Sequence, residues 1–292
     1  MPFSMMAGLA PIAKKYDAFI LDLWGVVHNG IEPYPGVHDC MAKLREDGRK
    51  LLLLSNAPRT NDFVQEFLEN MGVERSEYDD ILTSGDMARI VLRDEKLDFL
   101  TGGNKTFYQI GADRDRGLDD GLSYTRVYDV HEAEFVICTG LSYDVTETPE
   151  DYRPLLEQAV SRKLPMLCAN PDLTVMRGET MHYCAGSLAQ LFETLGGSVE
   201  LFGKPYPWAY KMAMEVLGVT DPSRVLAIGD SMRTDIKGAV GAGIDNVLVS
   251  GGIHAKDWGL SEGARPSMAQ VDALIAEHGF SPTYVIGQMS WT

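Results

Sequence analysis

The chain has 292 residues, of which 45% are hydrophobic and 23% are charged, and its formal net charge at pH 7 is −16. A chain of this length and composition is expected to form a globular protein with a sizeable core and two domains. The excess of acidic residues argues against binding to nucleic acids or to anionic membranes, because phosphate groups attract clusters of lysine and arginine.

Predicted strands and helices alternate along the chain. Short apolar runs predict strands at residues 19–21, 50–54, 80–83, 106–110, 135–138, 165–169, 199–202, 224–228, 246–249 and 283–286. Apolar spacing and capping residues predict helices at residues 37–47, 86–92, 150–162, 187–195, 207–218, 234–242 and 268–278. They also predict a helix that is capped by Thr60 or Asn61 and closed by Gly72. This alternation predicts a parallel, doubly wound α/β sheet with helices on both faces. In such a sheet, the ligand binds outside the carboxyl ends of the strands.

Four of the predicted strands are followed directly by polar residues. These are Asp22, Ser55 with Asn56, Lys204, and Asp230. Taken singly, each has a simpler explanation, since Asp22 can cap a strand end, Ser55 and Asn56 can form a turn, and Lys204 can be solvated. If the four strands are neighbours, however, the polar groups converge on one crevice. Four such coincidences favour a functional site over four unrelated turns.

Two carboxylates, a hydroxyl and an ammonium group are what magnesium-assisted phosphoryl transfer needs. Asp22 would be the nucleophile that forms an aspartyl phosphate. It would share Mg²⁺ with Asp230, because this ion prefers oxygen ligands and a substrate phosphate. Ser55 would hydrogen-bond a phosphoryl oxygen, and Lys204 would neutralise the nucleophile and the phosphate. Asp235, five residues after Asp230, would steady the metal waters or Lys204.

The same four segments, residues 22–26, 54–56, 203–205 and 229–236, resemble the four ordered motifs of the haloacid dehalogenase superfamily. The chain most resembles subclass IIA, the group of sugar-phosphate and p-nitrophenyl-phosphate phosphatases. Further similarity at residues 169–173, 203–208 and 238–243 extends the resemblance over nearly the whole chain. It implies a Mg²⁺-dependent hydrolase of small phosphate esters, such as sugar phosphate-like metabolites.

The resemblance also implies a division into two domains. Residues 1–95 and 199–292 would form a Rossmann-like catalytic core, and residues 96–198 would form a large inserted α/β cap. In such families the cap covers the pocket of the core and selects the substrate. Relatives often dimerise through the cap, so a homodimer of this kind is a further expectation.

Three residues are expected to bind the substrate. Loop amides near Asn56 would help Ser55 to hold a phosphoryl oxygen. Asn170 and Asp172 recur in subclass IIA sequences, which implies that they face the pocket. Alternatively, these two side chains stabilise a turn.

Trp24 departs from the family pattern. Family phosphatases carry a second aspartate at this position, which protonates the leaving oxygen and then deprotonates the attacking water. Such general acid–base catalysis contributes about 10²- to 10⁴-fold in rate. The family also uses the backbone carbonyl of this position as a metal ligand, and Trp24 keeps its carbonyl. We therefore expect Mg²⁺ binding to survive and the hydrolysis of poor leaving groups to be impaired, unless His28 or Asp235 supplies the proton.

Two alternatives to an efficient phosphatase follow from Trp24. The chain would be a phosphometabolite-binding protein that has lost catalytic capacity, or a hydrolase restricted to good leaving groups such as acyl and aryl phosphates. The 2-haloacid dehalogenases and a phosphonate hydrolase also lack the second aspartate, but they do not typically carry this large cap. A dehalogenase would also not need a metal, and the retention of Asp230 and Asp235 argues against it.

Cysteine usage and the first residues predict the compartment. The four cysteines are scattered, without a CxxC pair, which suits a reducing compartment better than a disulfide framework or a zinc site. The apolar run at residues 5–13 is broken by a proline and lacks a basic flank, so we expect a short helix rather than a signal peptide. A cytoplasmic location is therefore predicted.

Overall fold

The computed structural model describes residues 3–103, 105–115, 117–177, 180–256, 258–260 and 263–292. The chain divides into two compact units. The first unit consists of Met1–Ser55, Gln65–Leu82 and Lys204–Thr292, and the second unit consists of Asn56–Val64 and Thr83–Gly203. Each unit contains its own parallel sheet, so the predicted α/β class is confirmed.

Strands and helices alternate in the described part of the chain. The strands are β1 (Ser4–Met5), β2 (Ala18–Leu21), β3 (Lys50–Ser55), β4 (Asp80–Thr83), β5 (Thr106–Ile110), β6 (Thr125–Val127), β7 (Phe135–Cys138), β8 (Met166–Cys168), β9 (Thr174–Arg177), β10 (Thr180–Tyr183), β11 (Val199–Leu201), β12 (Val225–Gly229), β13 (Asp245–Val249) and β14 (Tyr284–Ile286). The α-helices are α1 (Ala10–Ala13), α2 (Val37–Glu46), α3 (Asn61–Asn70), α4 (Ser84–Arg93), α5 (Arg153–Ser161), α6 (Ala185–Thr194), α7 (Pro207–Leu217), α8 (Lys237–Gly241) and α9 (Met268–His278). A π-helical turn (Met232–Ile236) directly precedes α8.

The sheet of the first unit has seven strands in the order β1-β14-β13-β12-β2-β3-β4. The pairs from β1 to β3 are all parallel. Strand β2 lies between β12 and β3, and all four of its residues are buried, as expected for a parallel strand covered on both faces. Leu21 is paired with Ile228 on one side and with Leu53 on the other. The residues that follow these three positions therefore leave the sheet at the same edge.

The second unit contains a five-stranded parallel sheet in the order β11-β8-β7-β5-β6 and an antiparallel hairpin of β9 and β10. Its core is formed by side chains of the sheet together with α5 and α6, including Val136, Leu156 and Phe192. This unit begins earlier than the predicted insert, 96–198. One reason is that Arg89 of α4 donates hydrogen bonds to the carbonyl oxygens of Leu118 and Asp120, at 2.9 and 2.6 Å. The cap function of this unit stays a prediction.

Several local predictions differ from the structure. Within residues 5–13 only Ala10–Ala13 form a helix, α1, and the run begins differently because Met5 pairs with Val285 in strand β1. The predicted helix at 150–162 begins with a 3-10 turn (Pro149–Tyr152) before α5. Strands β1, β6, β9 and β10 were not predicted, since they are at most four residues long and carry no clear apolar alternation.

The cysteines and the lengths of the helices are two further features of the described residues. All four cysteines are buried and free, so none of them forms a disulfide bond. None of the helices in the described residues combines the length and the apolar character that crossing a bilayer requires.

Candidate active site

The register of the parallel sheet brings Asp22 and Asp230 to one edge. Asp22 follows β2 directly, and its main-chain N–H still donates to the carbonyl oxygen of Ile228 in β12, at 2.9 Å. Asp230 is the first residue after β12. Ser55 is the buried last residue of β3, on the other side of β2. The positions of these three residues therefore agree with the predicted crevice at the carboxyl ends of the strands.

Lys204 joins two of the carboxylates. Its Nζ lies 2.5 Å from Oδ1 of Asp22 and 2.8 Å from Oδ1 of Asp235. Only 3% of Lys204 is exposed, so these ion pairs are shielded from solvent. The ammonium group thus holds the predicted nucleophile and the predicted supporting carboxylate on either side of itself.

The Asp230 carboxylate is bordered by two glycines, at positions where a larger residue would clash with it. Its Oδ2 accepts a hydrogen bond from the main-chain N–H of Ile253, at 2.7 Å. A Cβ atom on Gly25 would lie 1.9 Å from this oxygen, and one on Gly252 would lie 2.2 Å from it. Gly25 also has a φ of 79°, which disfavours other residues. Both glycines therefore let the main chain approach the Asp230 carboxylate closely.

Asp235 lies on the π-helical turn and uses both carboxylate oxygens. Oδ1 contacts Lys204, and Oδ2 accepts a hydrogen bond from the main-chain N–H of Ser231, at 3.1 Å. The same residue therefore links the ammonium group to the turn that carries Asp230. This arrangement suits a residue that positions Lys204 better than one that transfers a proton.

The site contains more negative charge than Lys204 compensates. Burial, together with the nearby charge of Asp235, raises the pKa of Asp22 to about 7. Burial and the charges of Asp22 and Asp235 raise the pKa of Asp230 well above its usual range. Burial opposes the charge of Lys204, but the carboxylates of Asp22 and Asp235 hold its pKa well above the usual value. The cluster would therefore gain stability from an additional cation.

The donor set suits a divalent metal ion. One oxygen from each of Asp22, Asp230 and Asp235 can be chosen so that all three lie within 4.8 Å of one another. Carboxylate oxygens are the ligands that Mg²⁺ prefers, and the uncompensated charge favours a cation over a water molecule. The three carboxylates therefore fit a divalent metal ion such as Mg²⁺. Asp22 and Asp230 are two of the predicted ligands, and the third, the main-chain carbonyl of Trp24, stays a prediction.

The side chain of Trp24 is half-buried and packs inside its own loop. Its ring lies edge-on to the ring of His28, with the centroids 5.0 Å apart. A Cβ atom on Gly30 would lie 2.3 Å from the indole, so the indole occupies the space beside this glycine. Trp24 thus brings an aromatic side chain and no ionisable group to this loop.

His28, one of the two residues predicted as an alternative proton donor, is a neutral and buried side chain. It is fully buried, and burial lowers its pKa to about 4, so its imidazole is neutral at pH 7. Its Nδ1 accepts a hydrogen bond from the main-chain N–H of Gly30, at 3.0 Å, which places the ring proton on Nε2. Nε2 has no hydrogen-bond partner in the described residues, and the His28 ring also packs edge-on to Phe67. These contacts indicate a packing role.

The three predicted substrate-binding residues lie together in the second unit. Asn56 Nδ2 donates a hydrogen bond to Asp172 Oδ1, at 2.9 Å. The main-chain N–H of Asp172 donates to Asn170 Oδ1, also at 2.9 Å. The latter bond is the side-chain-stabilised turn that was the alternative interpretation of this segment. The Asn56 amide thus ties that turn to the segment that begins directly after Ser55.

Sequence reasoning missed two groups at the site. Tyr210 is buried, and its hydroxyl donates a hydrogen bond to the main-chain oxygen of Asp235, at 2.8 Å. The loop of Gly252 and Ile253 encloses Asp230. Two consecutive glycines, Gly251 and Gly252, follow the strand predicted at 246–249 after one intervening residue, and they were the signal that could have indicated a close main-chain approach. No comparable signal identifies Tyr210.

Comparisons with known proteins agree with these observations. Residues 19–119 match the family model described as haloacid dehalogenase-like hydrolase, and residues 201–276 match a second model, HAD-hydrolase-like. A solved hydrolase of the haloacid dehalogenase-like family from Brucella suis is 35% identical and has a TM-score of 0.82; the alignment covers 98% of this chain and 100% of that one.

Two curated relatives are named as a 5'-nucleotidase and as an acid sugar phosphatase. The 5'-nucleotidase YutF of Bacillus subtilis is 26% identical over 265 residues, which cover 89% of this chain and 97% of that protein. An acid sugar phosphatase of Staphylococcus epidermidis is 26% identical over 270 residues, which cover 90% of this chain and 97% of that protein. The matched motifs, the shared fold and the identity to the Brucella hydrolase together show that this chain belongs to the haloacid dehalogenase-like hydrolases, as its resemblance to subclass IIA predicted.

Proposed function

We propose that the chain is a Mg²⁺-dependent phosphatase that hydrolyses small phosphate esters through an aspartyl phosphate on Asp22. The observation that carries this proposal is the buried cluster of Asp22, Asp230 and Asp235 around Lys204. A buried cluster of this charge is costly to maintain without a bound cation, which is expected of a site built for a metal and a phosphate.

In the proposed reaction, a carboxylate oxygen of Asp22 attacks phosphorus and the bond to the leaving oxygen breaks. Water then attacks the aspartyl phosphate, which releases inorganic phosphate and restores Asp22. Lys204 neutralises the charge on Asp22 and on the phosphoryl oxygens. Ser55 donates a hydrogen bond to one of those oxygens. Bound Mg²⁺, held by Asp22, Asp230 and the backbone carbonyl of Trp24, would supply electrostatic stabilisation of the phosphoryl group.

Leaving-group protonation is the weak point of this site. Trp24 carries no acid, His28 is neutral and buried, and both oxygens of Asp235 are already engaged. We therefore propose that the enzyme prefers esters whose leaving oxygen needs little protonation, such as aryl and acyl phosphates. The same observations favour a second candidate, a protein that binds a phosphorylated metabolite and turns it over slowly.

The relatives suggest the class of substrate. A 5'-nucleotidase and a sugar phosphatase both act on small phosphorylated metabolites, so we propose a ligand of this kind rather than a phosphoprotein. Contacts of Asn56, Asn170 and Asp172 with the substrate, a homodimer through the second unit, and a cytoplasmic location stay predictions.

The test is hydrolysis of p-nitrophenyl phosphate, sugar phosphates and nucleoside monophosphates, with Mg²⁺ and with EDTA, for the wild type and for Asp22→Asn. Metal-dependent turnover that disappears in the variant supports the proposal. Turnover of p-nitrophenyl phosphate alone supports the preference for good leaving groups. Absence of turnover, with Mg²⁺ and a sugar phosphate still bound, would reject the phosphatase in favour of the binding protein.

A further inference from the structure

Tyr210 is a buried residue that the proposed reaction does not use. It lies in the first turn of α7, six residues after Lys204, and only 1% of it is exposed. Its hydroxyl donates a hydrogen bond to the main-chain oxygen of Asp235, at 2.8 Å. Through this bond, the helix that follows Lys204 is connected to the turn that follows Asp230.

Tyr210 also lines a small pocket together with the charged groups of the site. The polar lining of this pocket consists of Asp22, Lys204, Tyr210 and Asp235, and the remaining lining is made of aliphatic and alanine side chains. Hydrogen bonds in such apolar surroundings are stronger than in water, and losing one of them is correspondingly costly. The Tyr210 hydroxyl is therefore well placed to restrain its acceptor.

The acceptor belongs to an irregular segment. Asp235 lies in a π-helical turn, a conformation that is rare and commonly found at functional sites. The adjacent helix α8 provides space for the tyrosine ring, because a Cβ atom on Gly238 would lie 2.3 Å from Tyr210 Cε2. The ring is thus seated against α8 while its hydroxyl holds the preceding turn.

We propose that Tyr210 is a positioning residue, whose hydroxyl fixes the main chain at Asp235 so that the Asp235 carboxylate holds Lys204 against Asp22. This inference rests on the proposed function. Lys204 can assist phosphoryl transfer only if its Nζ stays close to both Asp22 and the phosphoryl group. A small displacement of Asp235 would move Lys204, because Nζ and Oδ1 are only 2.8 Å apart.

The first test compares Tyr210→Phe with Tyr16→Phe. Tyr16 is also fully buried in the first unit, and its hydroxyl donates to Asp245 Oδ2 at 2.6 Å, but Asp245 begins β13 at the opposite edge of the sheet. Both variants lose one hydroxyl and keep the ring, so both are expected to unfold at a lower temperature than the wild type. We expect kcat for p-nitrophenyl phosphate to fall about tenfold in Tyr210→Phe only, equivalent to about 1.4 kcal/mol. Its KM and its Mg²⁺ requirement should change less than about twofold.

Two results would overturn the inference. One is an unchanged kcat in Tyr210→Phe, and the other is an equal fall in kcat in Tyr16→Phe, which would indicate a general effect of lost stability. Gly238→Ala provides a second route, since its Cβ would displace the ring without removing the hydroxyl. Because this Cβ would also lie 3.0 Å from main-chain atoms of Pro205, a fall in kcat counts only together with the result for Tyr210→Phe. Gly238→Ala should lower kcat in the same way, and full activity in this folded variant would also contradict the inference.

A readout without turnover separates this inference from the proposed function. Beryllium trifluoride binds an aspartate carboxylate as a phosphoryl mimic, and its binding with Mg²⁺ can be followed by fluorine NMR. If the wild type hydrolyses no ester, the proposed function fails, and the same variants are compared by this binding. Weaker binding, by about fivefold or more, in Tyr210→Phe but not in Tyr16→Phe would support the positioning role, and equal binding in both would reject it.

Discussion

Replacing Asp22 by asparagine is expected to abolish turnover and yet to stabilise the metal-free protein above pH 7. In the unfolded chain Asp22 has its ordinary pKa of 3.8, and in the folded protein burial and Asp235 raise this pKa to about 7. Between these values the folded protein retains a proton that the unfolded chain has released. The stability of the metal-free wild type therefore falls as the pH rises from about 4 to about 7, and stays low above that range.

The magnitude follows from the same pKa. A rise from 3.8 to about 7 corresponds to about 4 kcal/mol that the wild type has lost at pH 8. Asparagine has nearly the same shape and no charge, so the variant avoids this loss. Its advantage in the free energy of unfolding should be about 3 kcal/mol larger at pH 8 than at pH 5, because two pH units separate pH 5 from the folded-state pKa.

Urea unfolding in EDTA at pH 5 and pH 8 measures this difference. The matched control is Asp245→Asn at the other edge of the same sheet. Burial opposes the ionisation of Asp245, but hydrogen bonds from Lys15 and Tyr16 keep its pKa below the usual value, so this variant should be less stable than the wild type at pH 8. The reasoning is wrong if Asp22→Asn is the less stable protein at pH 8, or if its advantage does not depend on pH.

Three further outcomes are expected. Mg²⁺ should raise the unfolding temperature. As the pH increases toward 7, the apparent affinity for Mg²⁺ should rise by up to about tenfold per pH unit, because Asp22 must release its proton before it binds the ion. A thermal-shift titration showing the same affinity at pH 5.5 and pH 8 would contradict this. Gly252→Ala should weaken Mg²⁺ binding by at least about tenfold, because its Cβ would lie 2.2 Å from Asp230 Oδ2, and isothermal titration calorimetry showing wild-type affinity would count against this geometry. Trp24→Asp should raise kcat/KM for sugar phosphates relative to p-nitrophenyl phosphate by about tenfold or more, whereas Trp24→Asn should not, and the same ratio in both variants would refute an acid–base deficit.

The convergence of the motif residues could be predicted because parallel strands impose it. Once β2, β3 and β12 are recognised as buried parallel strands, Asp22, Ser55 and Asp230 must emerge at one edge. The sequence alone did not reveal the environment of these residues. Hydrogen bonds of Asp235 to both Lys204 and Ser231 depend on a π-helical turn, which has no simple apolar period.

The second unit was harder to predict for a different reason. The hydrogen bonds of Arg89 with the loop around residues 118–120 join parts of the chain that are about 30 residues apart, and no local pattern indicates them. His28 illustrates the same difficulty at the level of one side chain. Its sequence position is compatible with proton transfer, and only its burial and its bond from Gly30 show that the ring is neutral and packed.

The division of the chain constrains how this protein can diverge. The chain leaves the first unit directly after Ser55, returns to it for Gln65–Leu82, and re-enters it for the last time at Lys204. An insertion or deletion within residues 83–203 can therefore alter the second unit while the strand register that places Asp22 and Asp230 is unchanged. A change of length at the crossing after Ser55 or at the crossing before Lys204 would shift Ser55 or Lys204 itself. When chimaeras of two related proteins are made, the junctions between their sequences are best placed several residues inside the second unit. Residues 54–58 and 200–206 then come from the same protein as the first unit.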